Sequence, residues 1–467
     1  MKTRFRAIPP FLAVVILFLC VTASPCMAIT VAEEKELGDK FLEAIRGQMT
    51  FVEDPVVSSY IQRLGRRVVE RIPDKPMEPR FFVADQDVLN AFAGPGGFIV
   101  IFRGAFTALE SEGELAGIMA HETAHVTCRH ISKKIAREQK IQIATLAGVL
   151  AGVFLGAPAP AMVGGMAGGA SVSLSYSRED ERQADEIGRE YMSLAGYGGA
   201  GYLKALERMR AAAVLGPQEV PTYLTTHPGV DERMAAMDLW LSVNPKKAKD
   251  TRPADESGFL TARARLLGLY GDQGESLAKL SEMIQKNPGD AAAHYGLALY
   301  YSRLSRRSQA LETMKKAVEL KPFDADFLAG MGQAYLEAGM AEEAKRVLLN
   351  AVKAAPENAL ARYWLGRTLL DSEDAEGARR ELAESLRLCP EYSPAMYFLA
   401  QALGRKGDTP RAHYYHGLYS ISIRDWPTAR FHLNRALNLG GNEPELTEMV
   451  EAAMLKIPVK APQIPRR

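Results

Sequence analysis

Apolar residues follow two different periods along the first hundred positions of the chain. Spacings of three and four over residues 31–48 and 55–72 predict amphipathic helices. Two short apolar runs, residues 81–83 and 98–102, lie on either side of a Gly-Pro-Gly-Gly turn and predict β-strands. The N-terminal part is therefore expected to combine helices with a small sheet.

The second half of the chain repeats a helical pattern. Prolines recur every 34 residues, which is the tetratricopeptide period, and small residues recur at the same interval where helices must touch. The prolines are Pro288, Pro322, Pro356 and Pro390, and the small residues are Ala310, Ala344, Ala378 and Ala412. After Ala412 the phase slips by half a repeat, so one helix is expected to end one unit and begin the next. Residues 444–457 are predicted to form the capping helix that a solenoid needs.

A polar, proline-containing stretch, residues 244–256, separates the two parts and is predicted to be a linker. The predicted divisions are a signal segment over 1–28, a first folded domain over 29–243 and a repeat domain over 257–460. The fold class is α+β and mainly helical, with an all-α tetratricopeptide solenoid at the C-terminal side. Such arrays form concave surfaces for peptide or protein partners. Five tyrosines are available to line one: Tyr295, Tyr300, Tyr363, Tyr397 and Tyr414.

Composition and charge narrow the class of protein. The chain is 47% hydrophobic and 24% charged, as globular proteins are, and its 467 residues suggest two or three domains. The formal net charge of +1 argues against a nucleic-acid partner, because nucleic-acid binding needs a basic patch.

The N-terminus has the features of a secretory signal. A basic start is followed by the apolar residues 11–20 and by Ala28, after which cleavage is predicted. An uncleaved anchor helix is the alternative, but the apolar run is shorter than the ~20 residues that a membrane span needs. The mature chain would keep Cys128 and Cys389, which give no disulfide framework. We therefore expect an exported, periplasmic protein.

The sequence His-Glu-x-x-His, beginning at His121, is the main chemical signal in the chain. Good helix formers precede it, and residues four apart on a helix share one face, offset by about 40° and about 6 Å. His121 and His125 are therefore predicted to hold one divalent metal ion. Zn²⁺ is expected because neutral imidazole suits it and no redox change is needed. Glu122 is placed to act as the base that takes a proton from the attacking water.

A third metal ligand is expected from elsewhere, because a catalytic zinc keeps three protein ligands and one open position. Glu181 and Asp185 lie four apart, on one helical face, with Ala184 between them allowing close helix approach. We predict Glu181 as the third ligand and Asp185 as the carboxylate that fixes the tautomer of a ligand histidine. The competing carboxylates, for which a solvated acidic face is the simpler interpretation, are Glu179, Asp180 and Glu186.

His121-Glu122-x-x-His125 followed by Glu181-x-x-Ala184-Asp185 resembles the HtpX-like and BepA-like gluzincin metallopeptidases. Two further segments are similar to that family: Asn90-Ala91-Phe92-Ala93-Gly94-Pro95-Gly96-Gly97-Phe98 and Glu114-Leu115-Ala116. The resemblance covers roughly residues 30–240, and the repeats match the BepA-like branch. It implies a zincin-type zinc endopeptidase domain with the residue roles given above.

A second segment of the same family resemblance is Thr226-His227-Pro228 followed by Arg233. His227 is a candidate for the open position of the metal or for a donor to the transition state, and the alternative is a loop histidine that caps a helix. Arg233 is a candidate partner of a site carboxylate. In zinc peptidases of this kind an edge strand pairs with extended substrate, so substrate binding by strand addition is expected. The predicted edge strand is Phe98, Ile99, Val100, Ile101 and Phe102.

Residues 141–177 contain no charged side chain. Their prolines and glycines interrupt any continuous membrane span. A flexible apolar lid or buried loop is predicted, with peripheral membrane contact as the alternative.

Two functions are therefore expected from the sequence. The first is a periplasmic zinc endopeptidase that cleaves misfolded or stalled envelope proteins. The resemblance implies a role in outer-membrane protein quality control, with docking on the outer-membrane assembly machinery through the repeats. The alternative is a chaperone or assembly scaffold that binds unfolded or partly assembled envelope proteins through the repeats and cleaves little.

Overall fold

The computed structural model describes residues 29–137, 176–215, 222–252, 255–441 and 443–458. The predicted signal segment and nearly all of the uncharged segment 141–177 lie outside these residues. Within the described ranges, no helix combines the length and the apolar character needed to cross a bilayer.

Two helices begin the described part of the chain, close to where the hydrophobic period predicts them. Helix α1 spans Val31–Gln48 and begins with a capping box between Thr30 and Glu33. Helix α2 spans Pro55–Val69. It ends earlier than predicted, because Pro73 disfavours a helical conformation at the residue before it.

A three-stranded sheet follows, with strands β1 (Arg80–Ala84), β2 (Ala91–Ala93) and β3 (Phe98–Phe102). The strand order is β1-β3-β2, with β3 parallel to β1 and antiparallel to β2. The prediction that Phe98, Ile99, Val100, Ile101 and Phe102 form the edge strand is therefore wrong, because the turn over residues 94–97 folds β2 back onto β3. Strand β3 is the buried centre, and β2 is an edge.

Seven further helices of the first domain lie within the described ranges, and one of them is buried along almost its whole length. Their bounds are α3 Arg103–Ala108, α4 Glu112–Thr127, α5 His130–Arg137, α6 Arg178–Ala195, α7 Gly199–Leu215, α8 Thr222–Thr226 and α9 Val230–Val243. Every residue of α4 from Glu112 to Val126 is buried. Glycines permit the close contacts of this helix, since a methyl group on Gly117 would meet Tyr202 of α7 at 2.7 Å. The residues of the His-Glu-x-x-His motif are thus held inside the domain.

The C-terminal half is an array of paired helices. Their bounds are α10 Ser257–Tyr270, α11 Gln273–Lys286, α12 Ala291–Arg303, α13 Arg307–Leu320, α14 Ala325–Glu337, α15 Ala341–Ala354, α16 Ala359–Asp371, α17 Ala375–Leu388, α18 Ser393–Arg405, α19 Thr409–Ser422, α20 Trp426–Gly440 and α21 Pro444–Met454. Helices α12, α14, α16 and α18 begin 34 residues apart, as the proline spacing predicts. Helix α19 packs on both α18 and α20, which confirms the predicted phase slip. The fold class is as predicted, with helices dominating both parts.

The solenoid and the first domain share buried contacts. Phe259 of α10 stacks on Phe106 at 5.7 Å between ring centroids. Arg265 of α10 forms a buried ion pair with Asp54, the N-cap of α2. By sequence, helix α10 is part of the solenoid. Its buried side chains also pack in the core of the first domain.

The tyrosines expected to line a concave partner surface are mostly buried. Tyr295 is fully buried and stacks on Phe327 at 4.7 Å. Tyr300, Tyr363 and Tyr414 are also buried. The expectation fails for these four because their rings fill contacts between helices or face the first domain.

Candidate metal centre

Helix α4 places the two motif histidines side by side. Their Nε2 atoms lie 3.1 Å apart, and each residue is 1% exposed. This is the one-face geometry that a spacing of four residues predicts on a helix.

Helix α6 crosses α4 and brings Glu181 to the same point. Its Oε2 lies 3.5 Å from Nε2 of His121, and its Oε1 lies 3.4 Å from Nε2 of His125. The close crossing depends on small residues, since Ala184 and Gly188 of α6 are both buried. The competing carboxylates lie elsewhere. Asp180 forms the capping box of α6, Glu179 pairs with exposed Arg182, and Glu186 is exposed.

His227 enters from the turn between α8 and α9. Its Nδ1 lies 3.1 Å from Oε1 of Glu181 and 3.4 Å from Nε2 of His121. Tyr223, one helical turn earlier, stacks on the His227 ring at 4.3 Å. The alternative interpretation, a loop histidine that caps a helix, does not apply, because the N-cap of α9 is Gly229 and no side chain caps that helix.

The four side chains fit a tetrahedral divalent ion. One donor atom from each of His121, His125, Glu181 and His227 lies within 4.8 Å of the others. Bonds of 2.0–2.2 Å to a tetrahedral zinc would separate neighbouring ligand atoms by about 3.3–3.6 Å. Five of the six residue pairs, counting both oxygens of Glu181, have separations of 3.1 to 3.5 Å, and the whole set lies within 4.8 Å. Burial lowers the pKa of His125 well below its usual range, which keeps that imidazole neutral for ligation.

Glu122 lies beside this cluster without a hydrogen-bond partner. Among the described residues, no group donates to either of its carboxylate oxygens, although both are buried. On the other side of the site, Nε2 of His227 lies 3.6 Å from Oε1 of Glu122. Burial raises the pKa of Glu122, and the neighbouring histidines only partly offset it. A buried carboxylate with free oxygens is suited to exchange protons with a reacting group.

Asp185 and Arg233 form the outer support of the cluster. Asp185 Oδ1 lies 2.9 Å from Nδ1 of His121, which leaves Nε2 of that ring directed at the other ligand atoms. Arg233 donates to both oxygens of Asp185 at 2.8 Å, and its Nη1 lies 2.6 Å from Glu181. Burial opposes ionisation of Asp185, but Arg233 and His121 outweigh it and lower the Asp185 pKa. Tyr202 also donates to Asp185, at 2.7 Å.

The sequence analysis missed two residues that contact this cluster. His130 lies 2.8 Å from His125 between their Nδ1 atoms. The Tyr176 ring stacks on His125 at 3.7 Å, and its hydroxyl donates to the Ala93 carbonyl of β2 at 3.2 Å. No sequence signal marks Tyr176. His130 lies in the motif segment, but it is five residues from His125, a spacing that does not place two residues on one face of a helix.

The fold and the cluster together define a metallopeptidase-type domain followed by a helical-repeat array. Residues 55–241 match the family described as Peptidase family M48. Residues 291–324 and 330–393 match families described as Tetratricopeptide repeat. The first domain is therefore similar to peptidase family M48, and a region similar to tetratricopeptide repeats follows it.

The curated relatives that match this chain include proteins named as a protease and as a metalloendopeptidase. The Beta-barrel assembly-enhancing protease of Escherichia coli K12 is 28% identical over 294 residues, which are 61% of this chain and 59% of that protein. The Mitochondrial metalloendopeptidase OMA1 of Schizosaccharomyces pombe is 29% identical over 184 residues, 39% of this chain and 52% of that protein. The chain thus spans less than two thirds of either relative.

Solved structures similar to this chain include PilW, described as a widely conserved type IV pilus biogenesis factor. It is 19% identical and covers 42% of this chain and 100% of its own, with a TM-score of 0.33.

Proposed function

We propose that this chain is a zinc-dependent endopeptidase that hydrolyses peptide bonds of misfolded or stalled envelope proteins. One observation carries the proposal: the buried carboxylate of Glu122, to which no described group donates a hydrogen bond, lies beside four side chains whose donor atoms lie within 4.8 Å of one another. The set of imidazole and carboxylate donors is the one that zinc takes in peptidases.

His121, His125 and Glu181 would hold the metal in the working enzyme. When bound, zinc supplies Lewis-acid activation of a water molecule and of the substrate carbonyl. Glu122 accepts the proton released by the attacking water and passes it to the leaving amine. Its raised pKa favours both transfers, because a base works best when its pKa approaches the ambient pH.

Strand β2 replaces β3 as the proposed substrate-binding edge. The main chains of Asn90 and Gly94 form hydrogen bonds with β3. Because the residues that form such bonds alternate along an antiparallel strand, residues 91 and 93 direct their main-chain groups away from β3. An extended peptide adding to β2 would bond those groups and would be read by its main chain. Such binding tolerates many side-chain sequences.

The conformation described here corresponds to a resting state of the proposed enzyme. His227 occupies the fourth position of the cluster, where catalysis requires water. The Tyr176 hydroxyl donates a hydrogen bond to the Ala93 carbonyl, which lies on the proposed substrate-binding edge. The two contacts favour low basal cleavage. The same contacts also favour the alternative function, a chaperone or scaffold with little proteolysis.

The names of the relatives and the composition of the first residues support a proposed place of action. A relative named for enhancing β-barrel assembly supports a role in outer-membrane protein quality control. The basic and apolar start supports export to the periplasm. The repeats would then dock the enzyme on the outer-membrane assembly machinery.

A set of single substitutions tests this function. Glu122→Gln should retain stoichiometric zinc by elemental analysis and lose peptidase activity, because it removes the base and keeps the ligands. Replacing His121, His125 or Glu181 by Ala should remove the zinc itself. The matched control is Glu186→Gln, which replaces an exposed carboxylate on α6 and should change neither the zinc content nor the peptidase activity.

Two outcomes decide between the proposals. Zinc loss in purified Glu122→Gln protein would contradict the assignment of Glu122 as base rather than ligand. Full cellular function of Glu122→Gln without cleavage would favour the scaffold over the protease.

A further inference from the structure

His130 is a buried histidine for which the proposed reaction has no use. It is 3% exposed, and both of its ring nitrogens have partners. Nδ1 lies 2.8 Å from Nδ1 of His125, and Nε2 lies 2.9 Å from Oε1 of Gln183 on α6. His130 therefore connects a candidate metal ligand on α4 to the second metal-bearing helix.

The backbone is bent so that His130 can reach His125. Residues five apart on a regular helix lie about 140° apart around its axis and do not meet. Here α4 ends at Thr127, Arg129 adopts a left-handed conformation with φ 55°, and α5 begins at His130. This conformation is uncommon for a residue other than glycine and persists where its surroundings fix it.

Arg129 is fixed in that conformation by contacts to α1 and to Ile29, which lies two residues before that helix. Its Nε donates to the buried carboxylate of Glu34 at 2.7 Å, and its Nη2 donates to the carbonyl of Ile29. The bend is thus anchored to the start of the first domain. It returns the chain to the metal cluster at His130.

Ligation of a metal ion by Nε2 of His125 would fix the proton positions along this chain of rings. Nε2 of His125 faces the other ligand atoms, so its Nδ1 carries the hydrogen and donates to Nδ1 of His130. His130 must then carry its own hydrogen on Nε2, which donates to the Gln183 amide oxygen. This relay and the stacked ring of Tyr176 hold the orientation of His125, and Oδ1 of Asp180 lies 3.8 Å from Nε2 of His130.

We propose that His130 is a positioning residue that fixes the tautomer and orientation of His125, and that Gln183 does the same for His130. The inference rests on the proposed metal site. The other ligand histidine is held differently, because Nδ1 of His121 faces the carboxylate of Asp185. One imidazole is thus supported by an anion and the other by a neutral ring.

Zinc affinity of the full-length protein, measured by competition with a chelator, tests the relay. His130→Phe keeps a ring but removes the acceptor, and should weaken zinc binding about 10–100-fold, as loss of such partners does. His130→Asn places an amide oxygen near the position of Nδ1 and should restore most of the affinity. The melting temperature of each metal-free variant separates this role from a general loss of folding, which Asn would not rescue.

A surface variant keeps the test valid if His130→Phe does not fold. Gln183→Ala changes an exposed side chain and should weaken zinc binding in the same direction, by less. Arg182→Ala, its exposed neighbour, is the matched control and should leave the affinity unchanged.

Several results would overturn the relay. Unchanged zinc affinity in His130→Phe or in Gln183→Ala would do so, as would a His130→Asn protein as weak as His130→Phe. If the unsubstituted protein binds zinc but cleaves no peptide, the proposed peptidase function fails and the relay stands. A protein that binds no zinc overturns both.

Discussion

A methyl group built on Gly188 would lie 3.2 Å from the α-carbon of His121 and 3.3 Å from its amide nitrogen. These two residues mark the point where α6 crosses α4. The backbone of one metal-bearing helix thus sits directly against the backbone of the other, and the ligand spacing depends on this contact.

Gly188→Ala is expected to push α4 and α6 apart. Backbone atoms cannot rotate away as a side chain can, and overpacking of this kind costs about 1–3 kcal/mol of folding free energy. Zinc titration and thermal unfolding should both show the loss. Gly47→Ala in α1, which meets nothing within 4 Å, is the control and should fold at least as well. Equal zinc affinity in Gly188→Ala and the unsubstituted protein would mean that the ligand spacing tolerates a wider crossing.

His227→Ala is expected to raise basal cleavage or self-cleavage. The reason is that Nδ1 of His227 lies among the ligand atoms and would exclude the water that hydrolysis needs. Cleavage of an unstructured peptide, with zinc content measured in parallel, checks this expectation. If His227 instead serves as a donor to the transition state, the same change should lower cleavage by about 10²-fold or more.

Zinc affinity should rise with pH up to about 9. In the metal-free protein, burial and Arg233 lower the pKa of His121, but hydrogen bonds to Asp185 and Glu181 outweigh them and raise it to about 9. Below that pH zinc must displace a proton, so its apparent affinity should increase by about tenfold per pH unit between about pH 7 and 9 and then level off. The proton on His121 stabilises the metal-free fold below pH 6.5, and this contribution is lost as pH rises through about 9.

Competition with a chelator of known proton affinity, repeated at each pH, measures this dependence. Asp185→Asn removes the carboxylate that raises the His121 pKa, so its steep region should move to lower pH. A zinc affinity independent of pH between 7 and 9 would contradict the assigned protonation of His121.

Asp54→Asn is expected to destabilise both parts of the protein together. The amide can still cap α2, but Arg265, 3% exposed, would lose its bidentate carboxylate partner. Removing one member of a buried ion pair typically costs about 3–5 kcal/mol. Chemical denaturation should show the loss in one transition, because α10 packs in the core of the first domain.

The double substitution Asp54→Asn with Arg265→Met is the matched test. It removes the uncompensated charge as well and should be more stable than Asp54→Asn alone. If both proteins unfold alike, the ion pair is not what couples the solenoid to the first domain.

Local sequence spacing predicted the centre of the candidate site but not its surroundings. His121, His125, Glu181 and Asp185 occur in pairs four apart, and the helix alone brings each pair to one face. His130 could not be predicted this way, because its position depends on the left-handed conformation of Arg129.

The substrate edge was misassigned for a related reason. Residues 98–102 are continuously apolar, which is typical of a strand buried on both faces rather than of an edge. Strand β2 is only three residues long and shows no period that a sequence can reveal. The repeats were predictable because one contact recurs: Gly332 faces Leu348, and Gly366 faces Leu382, 34 residues later.

Tyr176 has a consequence for which proteins the proposed enzyme would accept. Its main-chain N–H donates to the carbonyl of Thr226, beside His227, while its hydroxyl donates to the Ala93 carbonyl of β2. A peptide that pairs with β2 must compete for that carbonyl, so its apparent affinity is reduced by the fraction of molecules in which the hydroxyl has left. Only a chain with an unpaired stretch of backbone can compete at all. The proposed enzyme would then not cleave completed β-barrels, because all of their strands are paired. Whether a protein is cleaved would depend on how completely it is folded rather than on its sequence.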